Sequence, residues 1–262
     1  MPDLTQYKIG FVGLGLMGRP MALNLHRAGA RLTVTSRSPG PVEALAAEGI
    51  ATAASPHAVA AASEVIILMV TDTAAADAVL HGPAGVLAGL ADGKLVIDMG
   101  TTKVPETRAW AREALALGVD YLDAPVSGGQ VAAIDASLTI MAGGDGAAFD
   151  RARPILGALG RHITHVGGVG AGQVAKTVNQ VIVGMTIGAV AEALTLARRA
   201  GVDPAKVRDA IRGGFAESRI LELHGGRMVA SSFEPGGRAT VQRKDVVQAL
   251  ELAAGLGLVL PG

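Results

Sequence analysis

The chain has 262 residues, half of them hydrophobic, and its 23 basic and 23 acidic residues balance to zero net charge. This length suffices for two domains, and the mixed charges lack the one-sided basic footprint of a nucleic-acid-binding protein. The sequence has no cysteine, which excludes disulfides and Cys-ligated metals and fits a reducing cytoplasm. The start lacks a signal-peptide pattern, and the longest apolar run, 181–191, is shorter than the roughly 20 residues that cross a bilayer. We therefore expect a soluble cytoplasmic protein without nucleic-acid or membrane partners.

The pattern of a βαβ unit comes first along the chain. It has a strand at 7–12, a helix at 20–28 and a second strand at 31–35. A G-x-G-x-x-G motif joins the first strand to the helix, the context in which this motif indicates a dinucleotide site. The first glycine permits the tight turn, the second lets a pyrophosphate approach the backbone, and the third lets helix and strand pack closely. We expect the cofactor to contact Gly13, Leu14, Gly15, Leu16, Met17 and Gly18.

The end of the second strand bears on which dinucleotide is bound. NAD-preferring folds place a carboxylate there to accept from the ribose hydroxyls, whereas this chain has Ser36, Arg37 and Ser38. Arg37 can pair with a 2′-phosphate, and the two serines can add hydrogen bonds. We therefore predict that NADP is preferred, with NAD as the alternative.

Strands and helices continue to alternate after this unit. We predict strands at 65–70, 95–99, 138–142 and 162–166, and helices at 72–80, 105–117 and 147–159. Strands that are apolar throughout belong in a mostly parallel sheet covered on both faces, a doubly wound Rossmann domain. Because ligands bind at the carboxyl ends of such strands, Val70, Thr71 and Thr101 are candidate cofactor contacts. Strand patterns cease near residue 166, so we expect a Rossmann domain at 1–166 and an all-helical domain at 167–262.

A long helix at 173–200 carries the main chemical candidate, Lys176. No proline interrupts it, and Gly201 with Pro204 beyond provides a stop signal. Lys176, Asn179 and Gln180 share one face at helical spacing, while apolar side chains cover the rest. Because burying an ammonium without partners is costly, we expect Lys176 to line a ligand cleft. The alternative is a surface lysine that extends its ammonium to solvent.

A second candidate element is the turn Ser127, Gly128 and Gly129. Backbone N–H groups of a glycine-containing turn can converge on an anion, and the serine hydroxyl adds a donor. The turn could hold a substrate carboxylate, although a turn of this composition can also be purely structural.

Three separated segments carry a family resemblance. The motif 13–25, the segment 123–129 and Gly172-Gln173 with Lys176 and Asn179-Gln180 together resemble the β-hydroxyacid dehydrogenase family, in order and over essentially the whole chain. The resemblance implies a Rossmann domain, a helical domain and an active site between them. It implies that Lys176 is catalytic, that Ser127, Gly128 and Gly129 bind the substrate carboxylate, and that Lys244 contacts the cofactor. We expect Asn179 to be catalytic by fixing the lysine or the substrate hydroxyl, and Gln180, on the same helix face, to bind substrate.

The implied reaction is reduction of a small carboxylate-bearing aldehyde with NAD(P)H. Segments 179–183, 213–216 with 218–222, and 233–236 are most similar to members that act on tartronate semialdehyde, which would yield glycerate. Methylmalonate semialdehyde, succinic semialdehyde and glyoxylate are alternative substrates, and a homodimer or homotetramer is the expected assembly. Family members usually continue past the segment equivalent to 258–261, so the helical domain looks cut short at Gly262.

Other chemistries fit the sequence less well. His162 and His165 form the one close histidine pair, but residues three apart on a strand face opposite ways, so no metal site is expected. Ser127 lacks the flanking pattern of a hydrolase nucleophile. An imine reductase and a non-catalytic dinucleotide-binding module stay open, and Lys176 beside Asn179 argues against both.

Overall fold

The computed structural model describes residues 2–234 and 237–261. Its central feature is a nine-stranded sheet in the order β3-β2-β1-β4-β5-β6-β8-β7, with β9 paired to β8. Strands β1 to β6 run parallel, whereas β8 is antiparallel to both β6 and β7. The strands are β1 (Lys8–Val12), β2 (Arg31–Thr35), β3 (Ala51–Thr52), β4 (Val65–Leu68), β5 (Leu95–Asp98), β6 (Asp120–Asp123), β7 (Val126–Ser127), β8 (Leu138–Gly143) and β9 (Gly160–Gly167).

Helices connect the strands and then continue alone. They are α1 (Gly18–Arg27), α2 (Pro39–Ala47), α3 (Pro56–Ala62), α4 (Thr73–His81), α5 (Val104–Ala116), α6 (Gly129–Ile134), α7 (Gly146–Gly157), α8 (Ala171–Arg199), α9 (Pro204–Ile211), α10 (Gly226–Val229) and α11 (Ala239–Gly255). A single π-helical turn, Leu221–Gly225, leads into α10. Among the described residues, no strand follows β9.

The sheet is covered on both faces, as the sequence predicted. Ile9 and Phe11 of β1 belong to one buried apolar cluster, and Val12 belongs to the other. The same alternation recurs on β4, where Ile67 faces the first cluster and Ile66 faces the second. Because successive side chains point to opposite faces, apolar residues throughout a strand supply both layers at once. The predicted doubly wound α/β architecture followed by helices is therefore confirmed.

Several short elements were not predicted from the sequence. Helices α2 and α3 each begin with a proline after a serine, Ser38 or Ser55. Ser55 caps α3 by accepting a hydrogen bond from the Ala58 N–H at 3.2 Å, a frequent arrangement at helix starts. Strand β4 ends at Leu68, two residues before the predicted end.

The chain divides into two units, Met1–Lys176 and Thr177–Gly262, with the division inside α8. The first unit contains the whole sheet. The second unit has a small apolar core of its own, formed by Val190, Leu194 and Leu221 with neighbouring apolar side chains. By length and hydropathy α8 could also cross a bilayer. Of its most apolar stretch of 18 residues, 22% is buried in this chain.

Candidate active site

The glycine-rich loop has the geometry that a bound pyrophosphate requires. Gly13 has φ of 101°, in the region that favours glycine. A Cβ atom on Gly18 would lie 1.9 Å from the Gly13 carbonyl oxygen, so these two glycines close the turn. A Cβ on Gly15 would meet no protein atom within 4 Å. No side chain caps α1, and its first turn has no acidic residue. The loop therefore leaves space and helix N–H groups for phosphates at Gly15.

The end of β2 forms a pocket beside this loop. A cavity of about 280 Å³ is lined by Ser36 and Arg37 together with Thr35, Pro39, Val42, Glu43, Ala53 and Ala54. The Leu14 N–H donates to Ser36 Oγ at 3.3 Å, which ties the glycine-rich loop to this pocket. Arg37 contributes a positive charge and Glu43 a negative one. Two of the three residues predicted to hold the adenosine half of a dinucleotide, Ser36 and Arg37, therefore line this cavity, and the third, Ser38, does not.

Buried polar groups lie at the carboxyl ends of β5 and β6. Asp98 is fully buried and accepts hydrogen bonds from the Gly100 N–H at 3.0 Å, from Thr102 Oγ1 at 3.2 Å and from the Tyr121 hydroxyl at 3.4 Å. Burial raises the pKa of Asp98 from its ordinary value of 3.8 to about 7, against the opposing effect of these hydrogen bonds. These contacts fix the loop after β5, where the predicted cofactor contact Thr101 lies.

Asp123, at the end of β6, binds the start of α8. Its carboxylate accepts from the Gly170 N–H at 2.7 Å and from the Gln173 N–H at 2.8 Å. Burial raises the pKa of Asp123 to about 6, and the hydrogen bonds from Gly170 and Gln173 oppose that shift. The Gln173 side chain donates to the Gly100 carbonyl at 2.9 Å and accepts from the Thr102 N–H at 3.1 Å. The first turn of α8 is therefore bonded to the ends of both strands.

Lys176 follows Gln173 on the same helix and is 8% exposed. This burial disagrees with the surface alternative, and a role for Lys176 in a ligand cleft stays a prediction. The apolar side chains do not surround it as predicted, because Val178, Ile182 and Met185 are exposed. The buried face of this part of α8 is instead polar and includes Gln173 and Gln180.

Asn179 and Gln180 belong to a hydrogen-bonded network in the second unit. Asn179 Nδ2 donates to Gln180 Oε1 at 2.7 Å, and Gln180 Nε2 donates to Gln242 Oε1 at 3.0 Å and to Asp245 Oδ2 at 2.6 Å. Lys244 Nζ lies 2.9 Å from Asp245 Oδ1 as an ion pair. The predicted residues Asn179, Gln180 and Lys244 are thus linked through Asp245, a carboxylate that sequence reasoning did not single out.

The predicted substrate turn follows β7, the last strand in the order of the sheet. Ser127 pairs with Thr139 of β8. Gly128, just before α6, has φ of 126°, and Gly129, the first residue of α6, has φ of 66°. A Cβ on Gly128 would lie 2.5 Å from Ala132 Cβ, whereas a Cβ on Gly129 would meet nothing within 4 Å. Gly128 is therefore required by the turn itself. The open space at Gly129 leaves room for a ligand.

Several residues within the segments that carry the family resemblance make contacts that the motifs did not predict. Asn24 of α1 donates to the Ala133 carbonyl at 2.8 Å and so ties the helix after the glycine-rich loop to the helix after the substrate turn. Gln173 and Asp123 act through backbone groups, which leave no pattern of side-chain spacing. The one sequence signal is that Asp98 and Asp123 end neighbouring strands, at the edge where ligands bind.

Comparison with known proteins identifies the family. A family model described as the NAD-binding domain of 6-phosphogluconate dehydrogenase matches residues 8–167. A second, described as NAD-binding of NADP-dependent 3-hydroxyisobutyrate dehydrogenase, matches residues 170–262. The chain belongs to the β-hydroxyacid dehydrogenase family. The resemblance seen in the sequence is confirmed, and the protein is an NAD(P)-dependent oxidoreductase of the class that acts on CH–OH groups.

Individual β-hydroxyacid dehydrogenases match over nearly the whole chain. The 2-hydroxy-3-oxopropionate reductase of Escherichia coli K12 is 47% identical over 97% of this chain and 87% of its own length. The 2-(hydroxymethyl)glutarate dehydrogenase of Eubacterium barkeri is 36% identical, with 97% and 85% covered. The solved structure of Mycobacterium tuberculosis 3-hydroxyisobutyrate dehydrogenase with L-serine has a TM-score of 0.88 at 32% identity, covering 97% of this chain and 89% of that one.

Proposed function

We propose that this β-hydroxyacid dehydrogenase reduces a small aldehyde bearing a carboxylate to the corresponding alcohol, with tartronate semialdehyde as substrate and glycerate as product. The observation that carries the proposal is the burial of Lys176, three residues after Gln173. The Gln173 side chain is hydrogen-bonded to the loop at the carboxyl end of β5, where the cofactor contact Thr101 is predicted. The similarity to 2-hydroxy-3-oxopropionate reductase supports this choice of substrate. A 3-hydroxyisobutyrate, succinic semialdehyde or glyoxylate reductase is the alternative within the family.

Lys176 is the proposed proton donor. The dinucleotide supplies the hydride, and the carbonyl oxygen then needs a proton to become the alcohol. A buried ammonium can donate that proton and stabilise the developing negative charge in a site with little water. In the reverse direction the neutral amine removes the proton from the alcohol.

The Ser127 to Gly129 turn is the proposed carboxylate site. Its serine hydroxyl and the N–H groups at the start of α6 are donors for an anion. The M. tuberculosis 3-hydroxyisobutyrate dehydrogenase was solved with L-serine. That amino acid carries both a carboxylate and a β-hydroxyl group, the two features expected of the alcohol product here.

Asn179 and Gln180 are proposed to act on the substrate. Both Gln180 N–H groups are used by Gln242 and Asp245, so we assign Gln180 the task of holding the Asn179 amide. Asn179 then orients the lysine or a substrate hydroxyl. We propose that Lys244, next to Asp245, contacts the cofactor.

NADP is the proposed cofactor. Its adenosine half would contact Ser36, Arg37 and Ser38, with the pyrophosphate at Gly13 to Gly18 and the nicotinamide half near Val70, Thr71 and Thr101. Arg37 in the cavity at the end of β2 supports a 2′-phosphate there. The open space at Gly15 fits the approach of a pyrophosphate.

We also propose a cytoplasmic homodimer or homotetramer, in which residues 1–166 bind the dinucleotide and residues 167–262 contribute to substrate binding and assembly. The support is the exposed apolar face of α8, formed by Val174, Val178, Ile182, Met185 and Leu196. Such a face is rarely left open to water in a soluble protein.

The deciding experiment is a spectrophotometric screen of oxo acids with NADPH and NADH in parallel. The panel contains tartronate, methylmalonate and succinic semialdehydes, glyoxylate and one cyclic imine. We expect the highest kcat/KM for tartronate semialdehyde with NADPH. Oxidation of NADPH by the imine alone would indicate an imine reductase, and binding of NADPH without turnover of any substrate would indicate a binding module.

A further inference from the structure

The start of α8 is held against the sheet by two buried side chains, Asp123 and Gln173. Asp123 binds the N–H groups of Gly170 and Gln173, and the Gln173 amide binds the carbonyl of Gly100 and the N–H of Thr102. Both side chains are fully buried. We call these four hydrogen bonds the α8 anchor.

Two glycines allow the anchor to form. A Cβ on Gly172 would lie 2.4 Å from the Met141 carbonyl oxygen and 2.5 Å from that of Asp123. A Cβ on Gly143 would lie 2.7 Å from Asp123 Oδ1 and 2.7 Å from the Gly172 nitrogen. The helix backbone therefore touches the ends of β6 and β8 directly, without intervening side chains.

The hydrogen bonds of the α8 anchor are of a kind that holds the first turn of α8 in one position. The first N–H groups of a helix have no partner within the helix, and a carboxylate placed there binds them with help from the helix dipole. A buried hydrogen-bonding group that loses its partner carries a large penalty, so each of these bonds resists displacement. Lys176 lies one helical turn beyond Gln173, and a shift of the first turn would move the lysine with it.

We propose that Asp123 is a positioning residue for the reductase, acting with Gln173 to hold Lys176 at a fixed place relative to the β5 loop at Gly100 to Thr102. This inference rests on the proposed role of Lys176. It assigns Asp123 and Gln173 positioning roles that the family resemblance did not imply. A carboxylate that anchors the helix affects turnover through geometry, because a displacement of about 1 Å can reduce a rate about 100-fold.

The test compares Asp123→Asn and Gln173→Ala with the unmodified protein. Asp123→Asn replaces one acceptor oxygen by an amide that cannot accept the second N–H, and Gln173→Ala removes the other half of the anchor. We expect kcat for the aldehyde to fall about 10- to 100-fold in each, with the Kd of NADPH, measured by fluorescence, changed less than about threefold. Assays run well below the Tm of each variant.

Asp145→Asn is the matched control. Asp145 caps α7 in the same manner, accepting from the N–H groups of Ala147 at 2.8 Å and Ala148 at 3.3 Å, and α7 carries no proposed site residue. This variant is expected to lower the Tm while leaving kcat within about twofold. A kcat for both Asp123→Asn and Gln173→Ala as close to normal as that of the control would overturn the positioning role.

A second readout does not depend on turnover. Hydrogen exchange followed by mass spectrometry should show faster exchange of the peptide 170–176 in Asp123→Asn than in the unmodified protein. Faster exchange there in an otherwise inactive protein would support the anchor and contradict the proposed reaction. Unchanged exchange there would reject the anchor even if the protein reduces the aldehyde. If Asp123→Asn does not fold, the same comparison with Gln173→Ala decides the question.

Discussion

Arg37 and Glu43 line the same cavity at the end of β2 with opposite charges. A guanidinium favours a 2′-phosphate, whereas a carboxylate favours a ribose hydroxyl and repels the phosphate. These two residues therefore act in opposite directions on the choice between NADPH and NADH. The sequence drew attention only to Arg37, because Glu43 lies on α2, a helix that was not predicted.

Arg37→Ala should reduce the preference for NADPH. Loss of a charge-assisted hydrogen bond worth about 1.5–3 kcal/mol should raise the KM for NADPH about 10- to 100-fold and change that for NADH much less. Glu43→Gln is the paired variant, and it should lower the KM for NADPH by removing the repulsion. Steady-state kinetics with both cofactors measures the ratio, and equal losses with the two cofactors in Arg37→Ala would argue against a 2′-phosphate at this cavity.

Much of the candidate site at residue scale could be predicted, and the reason lies in how each residue acts. The glycine-rich loop, Lys176 and the Ser127 turn are defined by residue types at fixed spacing, so they could be recognised as candidates from the sequence. Asp123, Gln173 and Asp245 act through contacts between residues far apart in the chain, which spacing does not reveal. Gln180 was predicted to bind substrate, and its contacts in the structure led us to assign it a supporting task.

At the scale of elements, α4 and α5 are joined by a histidine between two carboxylates. His81 Nδ1 lies 2.9 Å from Asp77 Oδ1, and Nε2 lies 2.6 Å from Glu113 Oε2. A neutral imidazole can donate from only one nitrogen, so both contacts are satisfied together only by the protonated ring. The hydrogen bond to Glu113 and the nearby negative charges raise the pKa of His81.

His81→Gln should make the protein less stable at acidic pH. Because the folded state raises the pKa, the stabilisation is fully present below the unfolded value of about 6.5 and is lost as pH rises through the folded value. All three side chains are more than one third exposed, so we expect only about 0.5–1 kcal/mol at pH 6 and none at pH 9. Urea unfolding at both pH values measures this, with His57→Gln, an exposed histidine on α3, as control. A loss that is equal at both pH values would contradict the ion-pair explanation.

The predicted elements succeeded where hydrophobic patterns were strong. Strands β1, β4 and β5 are buried at nearly every position and were recognised by their apolar residues. Helices α2 and α3 are rich in alanine and bury only one or two residues each, so their sequences lack a clear apolar stripe. The segment Phe233-Glu234-Pro235-Gly236, used for the choice of substrate, includes residues 235 and 236, which lie outside the described residues.

At the scale of the whole molecule, the exposed apolar face of α8 has the character of a surface that packs against another protein surface. Ile182 is 60% exposed and Met185 is 55% exposed, on a helix whose buried face is polar in its first half. The sequence predicted apolar side chains on these positions of the helix without deciding whether they pack within one chain or between two. Their exposure in this chain favours packing against a second copy.

Ile182→Asp should weaken self-association. A charge in an apolar contact between subunits loses burial and adds a desolvation cost. Light scattering should give at least twice the chain mass of 26.3 kDa for the unmodified protein and a smaller species for the variant at the same concentration. Leu115→Asp, on an exposed position of α5, is the control and should leave the mass unchanged. A monomeric unmodified protein would contradict the proposed assembly.

The measurement that tests the proposed mechanism most directly is the turnover of Lys176→Ala with tartronate semialdehyde and NADPH, together with the Kd for NADPH. Loss of the general acid should lower kcat about 10²- to 10⁴-fold and leave the Kd within about threefold. A variant that retains kcat within about threefold of the unmodified protein would contradict the assignment of Lys176 as the proton donor.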